Sequence, residues 1–250
     1  MPTAVPPATR AAALGHTNEG GVQPRARERM RPLLDRGDGR AGWSGPVAVA
    51  LLAALLRLWR LGHPNALLFD ETYYAKDAYS LLRFGFVRDT VDKADEMLVR
   101  GDLTGLFKPD TSYYVHPDAG KWVIAAGEWA FGMDSFGWRV SAALVGALTV
   151  LVLARLVRQL TGSTLLGCVA GLLLCFDGLH FVMSRLALLD VFLTFFLVCA
   201  VACLAADREW GRARLLRLSE PDGSRIAGCG PVRAMLLRPW RLAAGVCFGL

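Results

Sequence analysis

Residues 163–206 read STLLGCVAGLLLCFDGLHFVMSRLALLDVFLTFFLVCAVACLAA, and this stretch decides the fold class. Its only acidic, basic or imidazole side chains are Asp177, His180, Arg185 and Asp190. About 20 apolar residues in a helix cross a bilayer core of about 30 Å. The stretch is long enough for two crossings, so it reads as a transmembrane hairpin with a tight turn near Ser184–Arg185. Upstream, residues 136–158 form another apolar run ending at Arg155 and Arg158. A third occupies residues 43–62; it is short, and Arg57 and Arg60 near its end must reach the interface or face protein. A last run begins near Trp240, so residues 241–250 read as the start of a fifth helix and the chain as an N-terminal fragment or truncated product. The expectation is an all-α polytopic membrane protein.

Composition agrees. The chain has 250 residues, 54% of them hydrophobic and 20% charged, with a mean hydropathy of +0.36. Soluble domains carry about a quarter charged residues and less apolar content. Collagen, coiled coil and disorder are excluded as the main class, and a soluble enzyme is disfavoured. The net charge of +6 does not mark a nucleic-acid binder, because the basic residues lie between apolar runs rather than along one face. The six cysteines include no CxxC pair and read as small apolar packing.

Charge location predicts orientation. Residues 1–42, rich in Ala, Pro, Gly and Arg, read as a disordered tail with seven arginines against four acids. Residues 207–240 read as a second basic loop; over 207–241 eight arginines oppose four acids. Residues 63–135 instead hold twelve acids and seven bases. Basic segments stay in the cytoplasm. The tail and the 207–240 loop are therefore expected inside and the 63–135 loop outside, in the plasma membrane. Within that outer loop, Tyr73, Tyr74, Ala78, Leu81 and Leu82 recur at helical spacing, as do Trp122, Val123, Ala126, Trp129 and Ala130. They predict two amphipathic helices at the membrane surface, with irregular loop from Arg88 to Pro109.

Three groups of residues carry the candidate chemistry. Asp70 and Glu71 follow the first span; such a pair can bind a metal, act as a base, or simply be solvated, and apolar neighbours favour the base. His116-Pro117-Asp118-Ala119-Gly120-Lys121-Trp122 is a turn running into an interfacial helix, in which Lys121 or His116 can contact a phosphate or sugar. Arg185 and Asp190 sit at the outer end of the hairpin, where charges are costly and usually paired or functional. They form either a structural ion pair or, through Arg185, a lipid-phosphate contact. Asp177 and His180 read as a polar lining of the bundle. No Gly-rich nucleotide loop is present, so a lipid phosphate donor fits better than a nucleotide sugar.

Phe69-Asp70-Glu71-Thr72-Tyr73-Tyr74-Ala75-Lys76-Asp77-Ala78, His116-Pro117 through Gly120-Lys121-Trp122, and Ser184-Arg185 through Leu188-Leu189-Asp190 together resemble the bacterial protein O-mannosyltransferases. These polyprenol-phosphate-mannose-dependent enzymes belong to the GT-C class, and the likeness covers about residues 43–207. It implies a GT-C helical bundle with a large extracytoplasmic first loop. It implies polyprenyl-phosphate-mannose as donor and Ser or Thr hydroxyls of exported proteins as acceptors, with membrane lipids around it and no nucleic acid. Asp70 would be the catalytic base beside Glu71; Arg185, Lys121 and His116 would serve the donor phosphate, with Asp190 and Tyr74 in support. No cofactor or metal follows, and a divalent metal stays an unsupported option. One departure stands out: Asp118 occupies the place where the family usually has a second proline. Other GT-C transferases, of aminoarabinose or arabinose, share the Asp-Glu pair and are the alternative. A polytopic transporter is the alternative of a different class, although it would place its polar groups at midplane.

Overall fold

The computed structural model describes residues 40–113, 115–218 and 238–250. The tail read as disordered and most of the basic loop fall outside these. The chain is mostly helical, in the order α1 (Arg40–Leu58), α2 (Glu71–Phe84), β1 (Arg88–Thr90), α3 (Ala94–Val99), β2 (Phe107–Thr111), α4 (Asp118–Phe131), α5 (Ser135–Thr161), α6 (Thr164–Phe176), α7 (Gly178–Met183), α8 (Leu189–Leu218) and α9 (Pro239–Gly249). Two stretches, Ser135–Thr161 and Leu189–Ala213, are long and apolar enough to cross a membrane; Gly42–Leu58 and Thr164–Phe176 are apolar but shorter.

Helix α5 is the hub: α1, α4, α6 and α8 all pack on it. Its ends follow from local chemistry. Asp134 caps the start by accepting from the amides of Phe136 and Gly137, and Gly162 closes the end at φ 71°, a conformation that glycine adopts without steric cost. Around α5 lie two apolar cores. One joins Val49 and Ala53 of α1, Ala147 and Val150 of α5, and Cys175 of α6. The larger joins Tyr74 and Tyr79 of α2, Leu98 of α3, Ile124 of α4, Trp138 of α5, and Leu188 and Phe192 at the start of α8. That second core fastens the 63–135 segment to the helical bundle.

Four features differ from the reading above. The Arg88–Pro109 stretch is not irregular throughout. It contains the short helix α3 and an antiparallel ribbon, with Arg88 opposite Thr111, Thr90 opposite Phe107, and a bulge between. So the chain is not purely α. The first arm of the hairpin is broken at Asp177, whose carboxylate accepts from the His180 amide and starts α7, before a turn at 184–187. Helix α8 runs on to Leu218, through the first residues assigned to the basic loop. Finally, the apolar stripes of α2 and α4 turn in opposite directions, one mostly inwards and one outwards. Tyr74, Ala78 and Leu81 are buried but Tyr73 is exposed. In α4, Trp122 and Trp129 face outwards while Lys121, Ile124, Ala125 and Glu128 face inwards. The outer side of α4 is thus apolar and its inner side carries two ionisable groups.

Candidate active site

The site is built around Glu71. The chain bends at Phe69, which holds a left-handed φ of 54°, and α2 then begins at Glu71. The Glu71 side chain is fully buried. Arg139, from the first turns of α5, donates to it through Nε to Oε1 at 2.8 Å and Nη2 to Oε2 at 2.7 Å. The amides of Leu68 and Ala187 donate to the same carboxylate at 3.0 and 2.9 Å. Arg139 in turn donates to the carbonyls of Leu61, Pro64 and Ala66. One ion pair therefore ties together the exit of α1, the start of α2, the hub helix and the turn before α8. A forked guanidinium suits this arrangement, since all its donors are used.

Asp70 and Arg185 hang from this node, one residue from Glu71 and two from Ala187. Asp70 is half-buried, and none of the described residues hydrogen-bonds its carboxylate, not even as a helix cap. Arg185 donates through Nη2 to the Trp59 carbonyl at 2.8 Å and stacks on Phe181 at 5.3 Å. It makes no ion pair with Asp190 or with any other described acid, which sets aside the ion-pair option.

Asp190, His116 and Tyr74 meet elsewhere, in a cavity of about 260 Å³ between α2, α4 and α8. Pro117, Gly120, Leu189 and Phe192 form part of its wall, with Leu250 from the end of the chain. The His116 ring meets Tyr74 edge-on at 5.8 Å. Burial raises the Tyr74 hydroxyl pKa, and the nearby charges of Asp70, Asp190 and Asp77 add to the rise. Lys121 is buried behind this wall, 3.0 Å from Asp77 and 3.6 Å from Asp118. Burial raises the Asp77 pKa more than Lys121 lowers it. The departure at Asp118 is thus turned inward, onto the lysine. At Gly120 α4 approaches α8 closely: a Cβ there would sit 2.7 Å from Leu189.

Two buried charges, Arg139 and Glu128, escaped the sequence reading, and a third, Arg57, takes the second of its two expected courses and faces protein. Glu128 is buried in α4 with both oxygens unpartnered among the described residues, and desolvation lifts its pKa well above the usual carboxylate range. Arg57 is fully buried, donating to Ser184 Oγ at 2.8 Å and to the Ala53 carbonyl, with His180 Nδ1 at 2.9 Å and Phe181 beneath it at 5.5 Å. A charge set on the face opposite a helix's tryptophans would have been the usable signal for Glu128 and Lys121.

The family model for dolichyl-phosphate-mannose-protein mannosyltransferase matches residues 47–214. The chain belongs to this family. A polyprenol-phosphate-mannose–protein mannosyltransferase of Mycolicibacterium smegmatis (strain ATCC 700084 / mc(2)155) is 39% identical over 216 residues, covering 85% of this chain and 38% of the relative. One from Mycobacterium tuberculosis (strain CDC 1551 / Oshkosh) is 38% identical over 224 residues, covering 88% and 39%. Protein O-mannosyl-transferase 1 of Rattus norvegicus is 31% identical over 157 residues, covering 62% and 20%. The chain therefore spans less than two fifths of the length of the mycobacterial relatives. No solved structure matches it. The family match contains every sequence-predicted site residue, from Asp70 to Asp190. The structure groups them in three places: Asp70 and Arg185 beside the Glu71 node, Tyr74, His116 and Asp190 around the cavity, and Lys121 in the wall between α2 and α4.

Proposed function

We propose that this chain carries the Asp-Glu and hairpin elements of an enzyme that transfers mannose from polyprenyl-phosphate-mannose to Ser or Thr hydroxyls of exported proteins. Membership of the mannosyltransferase family is the observation that carries the reading, and the names of the mycobacterial relatives supply donor and acceptor class. The protein is a multi-pass protein of the cell membrane with a GT-C bundle. The tail and the basic loop lie in the cytoplasm and the 63–135 segment outside; concentration of arginine in the first two supports this orientation.

In the reaction, the acceptor oxygen attacks the anomeric carbon of mannose, the bond from that carbon to the phosphate oxygen breaks, and polyprenyl phosphate leaves with the configuration inverted. A hydroxyl is a weak nucleophile at neutral pH, so its proton must pass to a base. Asp70 takes it: its carboxylate has no hydrogen-bond partner among the described residues, whereas that of Glu71 is saturated by four donors. Arg185 binds the donor phosphate with the guanidinium N–H groups that Trp59 does not occupy. His116, in the cavity wall, contacts the donor beside Tyr74 and Asp190. Lys121 acts behind that wall by neutralising Asp77 and Asp118.

The test is a chimera in which residues 47–214 replace the matching part of the Mycolicibacterium smegmatis relative. Membranes bearing it should mannosylate a Ser/Thr-rich peptide from labelled polyprenyl-phosphate-mannose. Transfer of arabinose from the corresponding arabinose donor, with none of mannose, would redirect the assignment to another GT-C activity.

A further inference from the structure

At the end of α8 far from Asp190 lies a second pocket, of about 400 Å³, which the transfer chemistry does not use. It opens between α8 and the start of α9, and four arginines line it against one acid. Asp207 is buried there and pairs with Arg238 at 2.6 Å and Arg241 at 3.1 Å, which fastens α9 to α8. Gly211 leaves the room for this, since a Cβ at that position would sit 3.2 Å from the Arg238 guanidinium. Arg208 and Arg212 are one turn apart on the same stripe of α8, exposed, and without an acidic partner among the described residues. The neighbouring Glu209 is engaged elsewhere, accepting from Gln159 of α5 at 3.0 Å. The pocket thus carries a surplus of positive charge that no described side chain neutralises. Arg238 makes no side-chain cap at the amino end of α9, and that helix end adds its own partial positive charge to the same place.

The position of the pocket selects the anion. It begins where the apolar run of α8 ends, and Leu204 still forms part of its lining. Leu197, Val201 and Leu204 make an exposed apolar stripe along α8 that leads into it. A ligand with a phosphate at the polar end and an acyl chain along that stripe matches both halves. We propose that the pocket binds the phosphate of an anionic phospholipid headgroup, with Arg208 and Arg212 as its charge-assisted donors and the Asp207–Arg238–Arg241 cluster as the frame that holds the pocket open. Basic pockets between helices at the headgroup level are built for such ligands. The site does not depend on the transfer reaction or on which leaflet this end of α8 occupies.

The test uses the 250-residue chain purified in neutral detergent and titrated with a fluorescent phosphatidylglycerol, with phosphatidylcholine as the zwitterionic comparison. Arg208→Gln/Arg212→Gln should weaken phosphatidylglycerol binding about tenfold or more and leave phosphatidylcholine unchanged. The charge-matched control Lys93→Gln/Arg100→Gln, on the other side of the molecule's apolar helices, should change it less than about twofold. Arg208→Lys/Arg212→Lys keeps the charge and, should the Gln pair lose its structure, decides the matter by losing the forked contact and weakening binding a few-fold. Equal losses in the Gln pair and the control would reduce the effect to general surface charge and overturn the proposal, as would full affinity in both the Gln and Lys pairs. Displacement of the lipid by low millimolar inorganic phosphate would identify a soluble anion as the ligand and overturn the lipid assignment.

Discussion

Two buried guanidiniums flank the proposed site, and their surroundings differ. Arg139 sits on a carboxylate and three carbonyls, so charge and hydrogen-bonding capacity are satisfied within the fold. Arg57 sits on a hydroxyl, a carbonyl, an imidazole and a phenyl ring, none of them an acid. Arg185 shares that same Phe181 ring and likewise has no acidic partner among the described residues. The first region is a closed strut. The second is a cationic region without an acid among the described residues, and the proposed function gives its Arg185 the donor phosphate. The two regions touch through the turn at 184–187, where Ala187 donates to Glu71 and Ser184 accepts from Arg57. The strut can therefore fix the distance between the base and the phosphate contact without joining the chemistry.

This contrast can be broken by substitution. The largest effect is expected in the chemistry: Asp70→Asn in the chimera should cut the transfer rate by about 10²–10⁴-fold and leave thermal stability and donor binding unchanged. A near-normal rate would remove the base from Asp70. Next comes the strut. Glu71→Gln leaves Arg139 as a buried charge without its anion and should destabilise the protein by about 3–5 kcal/mol, measured by denaturant unfolding in detergent. If Glu71→Gln keeps full stability and only activity falls, Glu71 belongs to the chemistry and the strut reading fails. Arg185→Ala should leave stability nearly unchanged while weakening donor binding by about 1.5–3 kcal/mol, with little recovery in Arg185→Lys. Loss of folding with intact donor affinity would make Arg185 part of the strut instead.

The smallest effect concerns Glu128, the buried carboxyl that neither region neutralises. Its pKa is raised in the folded protein, so the unfolded chain releases this proton at lower pH than the folded one. Stability from this group is therefore present below the ordinary glutamate pKa and is lost as pH rises towards the folded-state value, at up to about 1.4 kcal/mol per pH unit. Glu128→Gln should flatten the pH dependence of the unfolding midpoint above about pH 4.5. An unchanged slope would mean that Glu128 has an unseen cationic partner.

The sequence by itself determined where apolar helices run and which residues are chemically expensive. Runs such as 136–158 and 189–206 admit little else, because a long helix that is apolar along most of its length, with its few charges near the ends, has only one solvent that suits it. The Asp70-Glu71 pair, the His116–Trp122 turn and the Arg185–Asp190 corner were legible for a related reason: charged side chains beside apolar runs stand out. Local pattern did not reach the ribbon of β1 and β2. Its strands are short, charged and include Pro109, and they are held by packing on α2, where Arg88 lies 3.9 Å over Phe84. Nor did it separate Asp70 from Glu71. Which of two adjacent carboxylates is free depends on Arg139, 68 residues further along, and on the Ala187 amide, 116 residues further along. The inward face of α4 was hidden likewise, since tryptophans beside lipid and tryptophans in a core have the same spacing. Tertiary structure decided these points because an ion pair is defined by its partner, and the partner is brought near only by folding.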